Sequence, residues 1–216
     1  MADNTKMQVE IWSDIACPFC YIGKRKFENA LEKFPNKDQV EVLWHSFQLM
    51  PDAKRDFGVD MNTMLANRYG KSIEWAKEMN NNVANMAKEV GLEFNLDKAI
   101  PTNTLDAHRL IHLAKKHNLQ DQAEEALFNA YFSQGKHIGD LDTLVELGTS
   151  IGLNADETRE VLNSDKYAKE VQSEIIEGQR FGLSGVPFFV INRKYGISGA
   201  QPSEEFLKVL ETAYNA

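Results

Sequence analysis

Apolar and polar residues alternate along Met7-Gln8-Val9-Glu10-Ile11-Trp12, the period-two pattern of a half-buried strand over about 7–13. The period then lengthens. Ile22, Phe27, Ala30 and Leu31 recur at helical spacing, predicting a helix from about 18 to 33 that Phe34-Pro35-Asn36 ends. Val40 to Phe47 returns to strand character. Strand, helix and strand in so short a stretch make a βαβ unit with parallel strands, closed by Pro51. From about 55 to 180 no convincing strand follows. Helices are predicted instead over 61–69, 73–90, 105–117, 121–133, 141–151, a short piece to about 163 capped by Asp156, and 167–181 started by Ser164 or Asp165. Residues 94–104 read as a loop. Strand character returns at Val186–Asn192, with Arg193–Gly196 as a turn and Ile197-Ser198 as a short hairpin partner. Pro202 opens a last helix over 203–214, with Glu204 and Glu205 in its acidic first turn.

This order, βαβ, helices, then ββα, is that of an α/β protein whose two ends share one small mixed sheet, since each end alone is too small for a core. The 216 residues suffice for a sizeable core, and 43% apolar with 26% charged residues is an ordinary globular balance. The net charge of −8 argues against nonspecific nucleic-acid binding and against anionic membrane surfaces. No run approaches the roughly 20 apolar residues of a membrane span. Residues 1–6 show no apolar leader core, which sets a cytoplasmic expectation.

The chemistry concentrates in Cys17-Pro18-Phe19-Cys20, which holds the only two cysteines of the chain. Cys17 stands where the first strand hands over to the first helix, and Pro18 suits the first helical position. Residues at i and i+3 share a helix face at about 5–6 Å, within disulfide reach. The positive end of the helix stabilises a thiolate at Cys17, and Cys20, one turn deeper, is the resolving thiol. A C-x-x-C beside a βα unit reads as a thioredoxin-like redox motif. A zinc site is disfavoured because no second cysteine pair completes four ligands. Two inert buried cysteines are disfavoured by Pro18 and the helix start. A reducing compartment also favours a catalytic over a structural pair.

With these residues placed, the chain resembles thioredoxin-fold proteins of the DsbA superfamily, and most closely the FrnE-like cytoplasmic branch. The stretches that carry the resemblance are Ser13 to Lys24, Asn103 to Leu110, Gly185 to Ile191, and Gly199-Ala200-Gln201-Pro202. The resemblance implies a thioredoxin fold with a large inserted all-helical domain. Residues 1–52 plus 165–216 would form the thioredoxin-like domain and 53–164 the insertion. It implies Cys17 as nucleophile, Cys20 as resolving cysteine and a cis Val186–Pro187 bond facing them. The substrate contacts expected are Val186, Pro187, Pro18, Phe19 and Ser13, with the Val186 backbone pairing an extended peptide or glutathione. Periplasmic oxidants of the superfamily usually carry histidine where this chain has Phe19, so a less oxidising couple is expected. A related branch, the kappa-class glutathione transferases and 2-hydroxychromene-2-carboxylate isomerases, generally lacks the second cysteine that this chain keeps.

The function expected is thiol–disulfide exchange as a DsbA-like protein disulfide oxidoreductase. Its partners are protein or small-molecule thiols and disulfides. No bound cofactor or metal is needed, and glutathione is the expected redox partner. A glutathione-dependent isomerase or transferase using Cys17 or Ser13, and a chaperone-like peptide binder, are the rival readings. The direction of electron flow and the oligomeric state stay open. His108 and His112 have metal-ligand spacing but lack the intervening glutamate of H-E-x-x-H, which favours a helix surface or an interdomain contact. Asp14 either faces the thiolate or is solvated, and His45 is a lesser site candidate. Asn103 lines the cleft or caps a helix. Lys24-Arg25-Lys26 reads as a solvated helix face, and Met61, Met64, Met79 and Met86 as core or groove lining.

Overall fold

Four strands form one sheet in the computed structural model, which describes residues 6–216. The start of the chain, read above as lacking a leader core, falls in residues 1–5 and lies outside the described residues. Strand β1 (Met7–Ser13) pairs in parallel with β2 (Val40–Ser46), joined by helix α1 (Pro18–Lys33). On its other side β1 pairs antiparallel with β3 (Phe188–Ile191), which forms a hairpin with β4 (Tyr195–Ser198). The order is β2-β1-β3-β4. Between β2 and β3 run α2 (Met61–Tyr69), α3 (Ile73–Lys88), α4 (Leu105–Lys116), α5 (Gln120–Phe128), α6 (Leu141–Ser150), α7 (Ala155–Leu162) and α8 (Ala168–Arg180); α9 (Ser203–Tyr214) closes the chain. This is a thioredoxin fold carrying a large helical insertion. Among the described residues no helix is long and apolar enough to cross a membrane.

β1 departs from the half-buried strand its alternation suggests, because both of its faces are covered. Val9 and Ile11 pack with Phe27, Phe189 and Phe206 between the sheet and the α1–α9 pair. Glu10 and Trp12 are buried on the opposite face. There α8 covers the sheet, with the Trp12 indole N–H donating to the Glu174 carbonyl at 2.8 Å. The polar residues of the alternation are buried because that face carries charged partners: the Glu10 carboxylate lies 2.7 Å from Arg193 and 3.2 Å from His45.

Element boundaries differ from the sequence reading in a few places, each with a local cause. The cap of α7 is Asn154, whose side chain accepts from the Glu157 N–H, while Asp156 sits within the first turn. Helix α8 begins after Tyr167, which takes a left-handed φ of 69°. β3 starts at Phe188 rather than 186, and β4 starts at Tyr195, because Asn192 and Arg193 carry the turn with φ of 49° and 55°. The single helix expected over 121–133 is α5 followed by a π-helical turn, Asn129–Ser133. Short 3₁₀ turns at Lys37–Gln39 and Leu96–Lys98 were not expected.

α8 can approach the sheet this closely because of Gly178. A Cβ there would stand 2.8 Å from Cδ1 and Nε1 of Trp12, a ring already held by Glu174 and stacked on His45 at 4.4 Å. Gly178→Ala gains up to about 1 kcal/mol of helix propensity but overpacks a filled site at a cost of about 1–3 kcal/mol. A lower urea midpoint is therefore expected; an unchanged or higher one would show that the indole can move aside.

Candidate active site

The β1–α1 junction is built around Asp14. Its carboxylate, 1% exposed, accepts the Leu49 N–H at 2.7 Å and the Ala16 N–H at 3.4 Å, and faces His108 Nε2 at 3.4 Å. Its carbonyl accepts the Cys17 N–H at 2.9 Å. The loop ahead of the cysteines is thereby fixed to the segment after β2 and to α4. Cys17 is the cap residue of α1, in extended conformation, and Pro18 fills the first turn where its missing N–H leaves nothing unpaired. Cys20 follows within that turn, its N–H bonded to the Cys17 carbonyl at 3.0 Å.

Both cysteines are free and buried. The Cys17 thiol donates to the Val186 carbonyl at 3.6 Å, and the Val186–Pro187 bond is cis. Gly23 makes this approach possible, since a Cβ there would lie 3.0 Å from Pro187 Cγ and 3.5 Å from Ala200 Cβ. The Val186 N–H has no hydrogen-bond partner among the described residues. Burial pushes the Cys20 thiol well above its usual range, and the hydrogen bond it shares with Cys17 adds to that. Ser13, expected among the substrate contacts, is fully buried and offers a ligand no surface. It lies on the Cys20 side and works against that rise. Phe19 points outward, 39% exposed.

Beside Cys17 opens a cavity of about 270 Å³ between the start of α1 and the helical insertion. Met50, Met61, Met64 and Met79 line it, with Tyr131 at its wall. Met86, grouped with these methionines in the sequence, is exposed instead. Tyr131 lies on the π-helical turn after α5, a feature that sequence periodicity does not signal.

The remaining candidates fall behind the cysteines. His108 and His112 do not meet as a metal pair: His108 faces Asp14, and His112 Nε2 faces Glu174 at 3.1 Å. Among the described residues no cluster of three or more potential ligands forms. His45 stacks on Trp12 and lies between Glu10 and Glu174. Burial pushes Glu174 up, but hydrogen bonds and charge from His112 and His45 outweigh it and hold the carboxyl far below the usual range. Asn103 is a local brace: its side chain accepts the Leu105 N–H and donates to the Pro51 and Ala53 carbonyls. The Lys24-Arg25-Lys26 run is not a solvated face. Lys24 is 2% exposed and paired with Glu28, Asp121 and Glu125, while Arg25 pairs with Glu28 and Glu125. Burial raises Glu125, but the Arg25, Tyr21 and Lys24 contacts prevail and bring it to about 2. α5 is thus clamped onto α1 one turn below the cysteines.

A model described as the DSBA-like thioredoxin domain matches residues 8–211. The crystal structure of a probable DsbA oxidoreductase from Streptomyces coelicolor superposes with a TM-score of 0.93 at 42% identity, covering 97% of this chain and 90% of that one. The Bacillus subtilis protein YwbO is 28% identical over 207 residues, 94% of this chain and 96% of its own length. The cytosolic disulfide reductase DsbM from Pseudomonas aeruginosa, solved with GSH, shares the fold at a TM-score of 0.68 and 16% identity, covering 97% of this chain and all (100%) of that one.

Glu124 is the one buried acid of this region outside these pairings. It is 1% exposed, and its Oε2 has no hydrogen-bond partner. Burial, with the charge of Asp121, raises its carboxyl well above the usual range, and nearby Lys24 only partly offsets this. A raised folded-state value favours folding at acid pH, and that contribution is lost as pH climbs past the unfolded value of about 4.3. Glu124→Gln is therefore expected to stabilise the protein by about 1–3 kcal/mol at pH 8, a gain that shrinks toward zero near pH 4. Urea unfolding at both pH values reads it; a gain independent of pH contradicts the assignment.

Proposed function

This chain belongs to the DSBA-like thioredoxin domain family, and from that premise we propose that it is a thiol–disulfide oxidoreductase working through Cys17 and Cys20. The observation that carries the reading is the position of Cys17. It lies at the first turn of α1 with Sγ 3.6 Å from the Val186 carbonyl, and the unpaired Val186 N–H is beside it. In this reading the Cys17 thiolate attacks one sulfur of a substrate disulfide. The substrate S–S bond breaks, one thiolate leaves, and a Cys17 mixed disulfide remains. Cys20 then loses its proton and attacks Cys17 Sγ, releasing the second substrate thiolate. The substrate gains two electrons and the pair becomes a Cys17–Cys20 disulfide; the reverse sequence oxidises a dithiol. The high proton affinity of buried Cys20 keeps it a thiol until the mixed disulfide has formed.

Residues 1–52 and 165–216 act as the redox domain, and 53–164 as an insertion that walls the site. Val186, Pro187, Pro18 and Phe19 contact the substrate, with the Val186 backbone pairing an extended peptide or glutathione. Glutathione is the thiol that recharges the pair, and the cytosol is where it works. The fold shared with a cytosolic reductase solved with GSH supports both.

Equilibration in glutathione buffers, with trapped thiols counted by mass spectrometry, tests the proposal. A reversible intramolecular disulfide is expected, with a potential between roughly −270 and −120 mV. Cys20→Ser is expected to stop at a mixed disulfide and lose turnover. If the wild type forms only a Cys17–glutathione adduct and never the internal disulfide, dithiol chemistry is wrong, and the glutathione-dependent isomerase or transferase reading takes its place.

A further inference from the structure

The cavity beside Cys17 has properties that disulfide exchange alone does not require. It is a recess of about 270 Å³, partly open to solvent at Phe19, Arg68 and Tyr69, and bounded mostly by apolar side chains, four of them methionines. Thioether side chains are polarizable and adjust to the shape of what they meet, and sulfur contacts favourably with aromatic rings. Polar groups break this lining at Arg68, Tyr69, Asn80 and Tyr131; the Asn80 side chain already donates to Asn62 Oδ1 at 2.8 Å. Tyr131 is 1% exposed and lines the cavity, and its hydroxyl makes no side-chain hydrogen bond among the described residues but is not sealed off from the cavity space. Burial, together with the charge of Asp14, pushes this hydroxyl up, so it stays a neutral donor. Arg68, exposed, also lines the cavity and has no ion-pair partner among the described residues. A hydroxyl that faces an otherwise apolar cavity with its donor unused is available to an acceptor on a ligand that enters.

The position of Tyr131 is built rather than incidental. It sits in the π-helical turn Asn129–Ser133 that closes the helix begun by α5. Such turns are rare and often occur at functional sites. Its neighbour Phe132 lines the same cavity. α5, which leads into the turn, is held to α1 by Tyr21, Lys24 and Arg25 through Glu125. The cavity wall therefore keeps a fixed place relative to Cys17.

Resting on the oxidoreductase reading above, we propose that the substrates are low-molecular-weight disulfides whose reacting sulfur carries an apolar, ring-sized group bearing a hydrogen-bond acceptor. The ring enters the methionine-lined cavity, the Tyr131 hydroxyl donates to the acceptor, and Arg68 attracts an acidic group on the same molecule. The reacting sulfur then lies at Cys17. A pocket of this volume takes one such group rather than an extended chain, and a ring filling an apolar pocket discriminates more strongly than a methyl.

The test uses the reduced full-length protein and single turnover, so no co-reactant is needed. Three symmetrical disulfides of equal charge are compared: that of 2-mercaptopropanoate, its 3-phenyl analogue, and the 3-(4-acetylphenyl) analogue. Rates of Cys17–Cys20 oxidation are read by acid quench and mass spectrometry, each divided by the rate of the same disulfide with dithiothreitol. The phenyl compound is expected to exceed the methyl compound at least tenfold after this correction. The acetyl group is expected to add about fivefold more, and Tyr131→Phe to remove that added factor. Val83→Trp, which fills the cavity from α3, is expected to bring the phenyl-to-methyl ratio toward one; a melting curve confirms that it folds. Equal corrected rates for phenyl and methyl in the wild type overturn the proposal. An acetyl gain that is absent, or that survives in Tyr131→Phe, overturns the role of Tyr131. A peptide disulfide with phenylalanine beside the cysteine is run in parallel; if its corrected rate exceeds that of the phenyl compound, the occupant is a peptide side chain and the proposal fails. Absence of Cys17–Cys20 oxidation by every disulfide is a separate result, and overturns the oxidoreductase reading itself.

Discussion

The buried carboxylate of Asp14 is the contact on which the site depends. A carboxylate taken out of water is costly unless hydrogen bonds replace its hydration. Here the Leu49 and Ala16 N–H groups do so, with the His108 ring opposite. The bonds come from three separate segments: the loop before Cys17, the stretch after β2, and α4. Each segment also forms part of the surroundings of the thiols. The loop presents Cys17, the stretch after β2 supplies Leu49 and Met50 to the cavity, and α4 brings the insertion against the sheet. Removing the charge would leave two backbone N–H groups poorly matched and free three segments at once.

A chain of polar contacts runs behind the sheet from the exposed Arg193 inward. Arg193, Glu10, His45, Glu174 and His112 follow one another at 2.7 to 3.3 Å. Glu174 also accepts the Ser46 N–H at 2.7 Å, at the end of β2. α8 thus meets the sheet through carboxylate contacts to His45, His112 and Arg193 and one indole as well as through apolar side chains. Such a contact is sensitive to geometry, because charged groups out of register are left unpaired. Gly178 and the fixed Trp12 ring set that register by allowing close approach.

Much of this fold is legible in the sequence because periodicity and punctuation agree. The strands at 7–13 and 40–46, the helices at 61–69 and 203–214, and the Pro18 start of α1 follow from apolar spacing and capping residues. The thiol pair is legible for the same reason, since its chemistry is local. What the sequence conceals depends on tertiary partners. Glu10 looks solvent-facing because its partner Arg193 lies far along the chain, and the i,i+4 pair Lys24–Glu28 reads as an ordinary surface pair because Glu125, the partner that draws Lys24 under α5, is equally distant. The π-helical turn is hidden because one extra residue per turn barely perturbs a helical pattern over five residues. His108 and His112 share one helix face yet serve different acids, since Asp14 and Glu174 approach α4 from different elements.

The insertion changes what the thioredoxin scaffold presents. On the sheet side, Cys17 meets backbone, the Val186 carbonyl at 3.6 Å, a group that reads no side chain of a partner. On the insertion side it meets a shaped cavity in which side chains decide what fits. The two sides impose different demands on one sulfur. A backbone edge tolerates many partners, whereas a largely apolar recess favours a group that fills it. The ion cluster linking α5 to α1 ties these two sides together, so under the proposed reading selectivity at Cys17 would come from the insertion and reactivity from the turn of α1 that carries the cysteines.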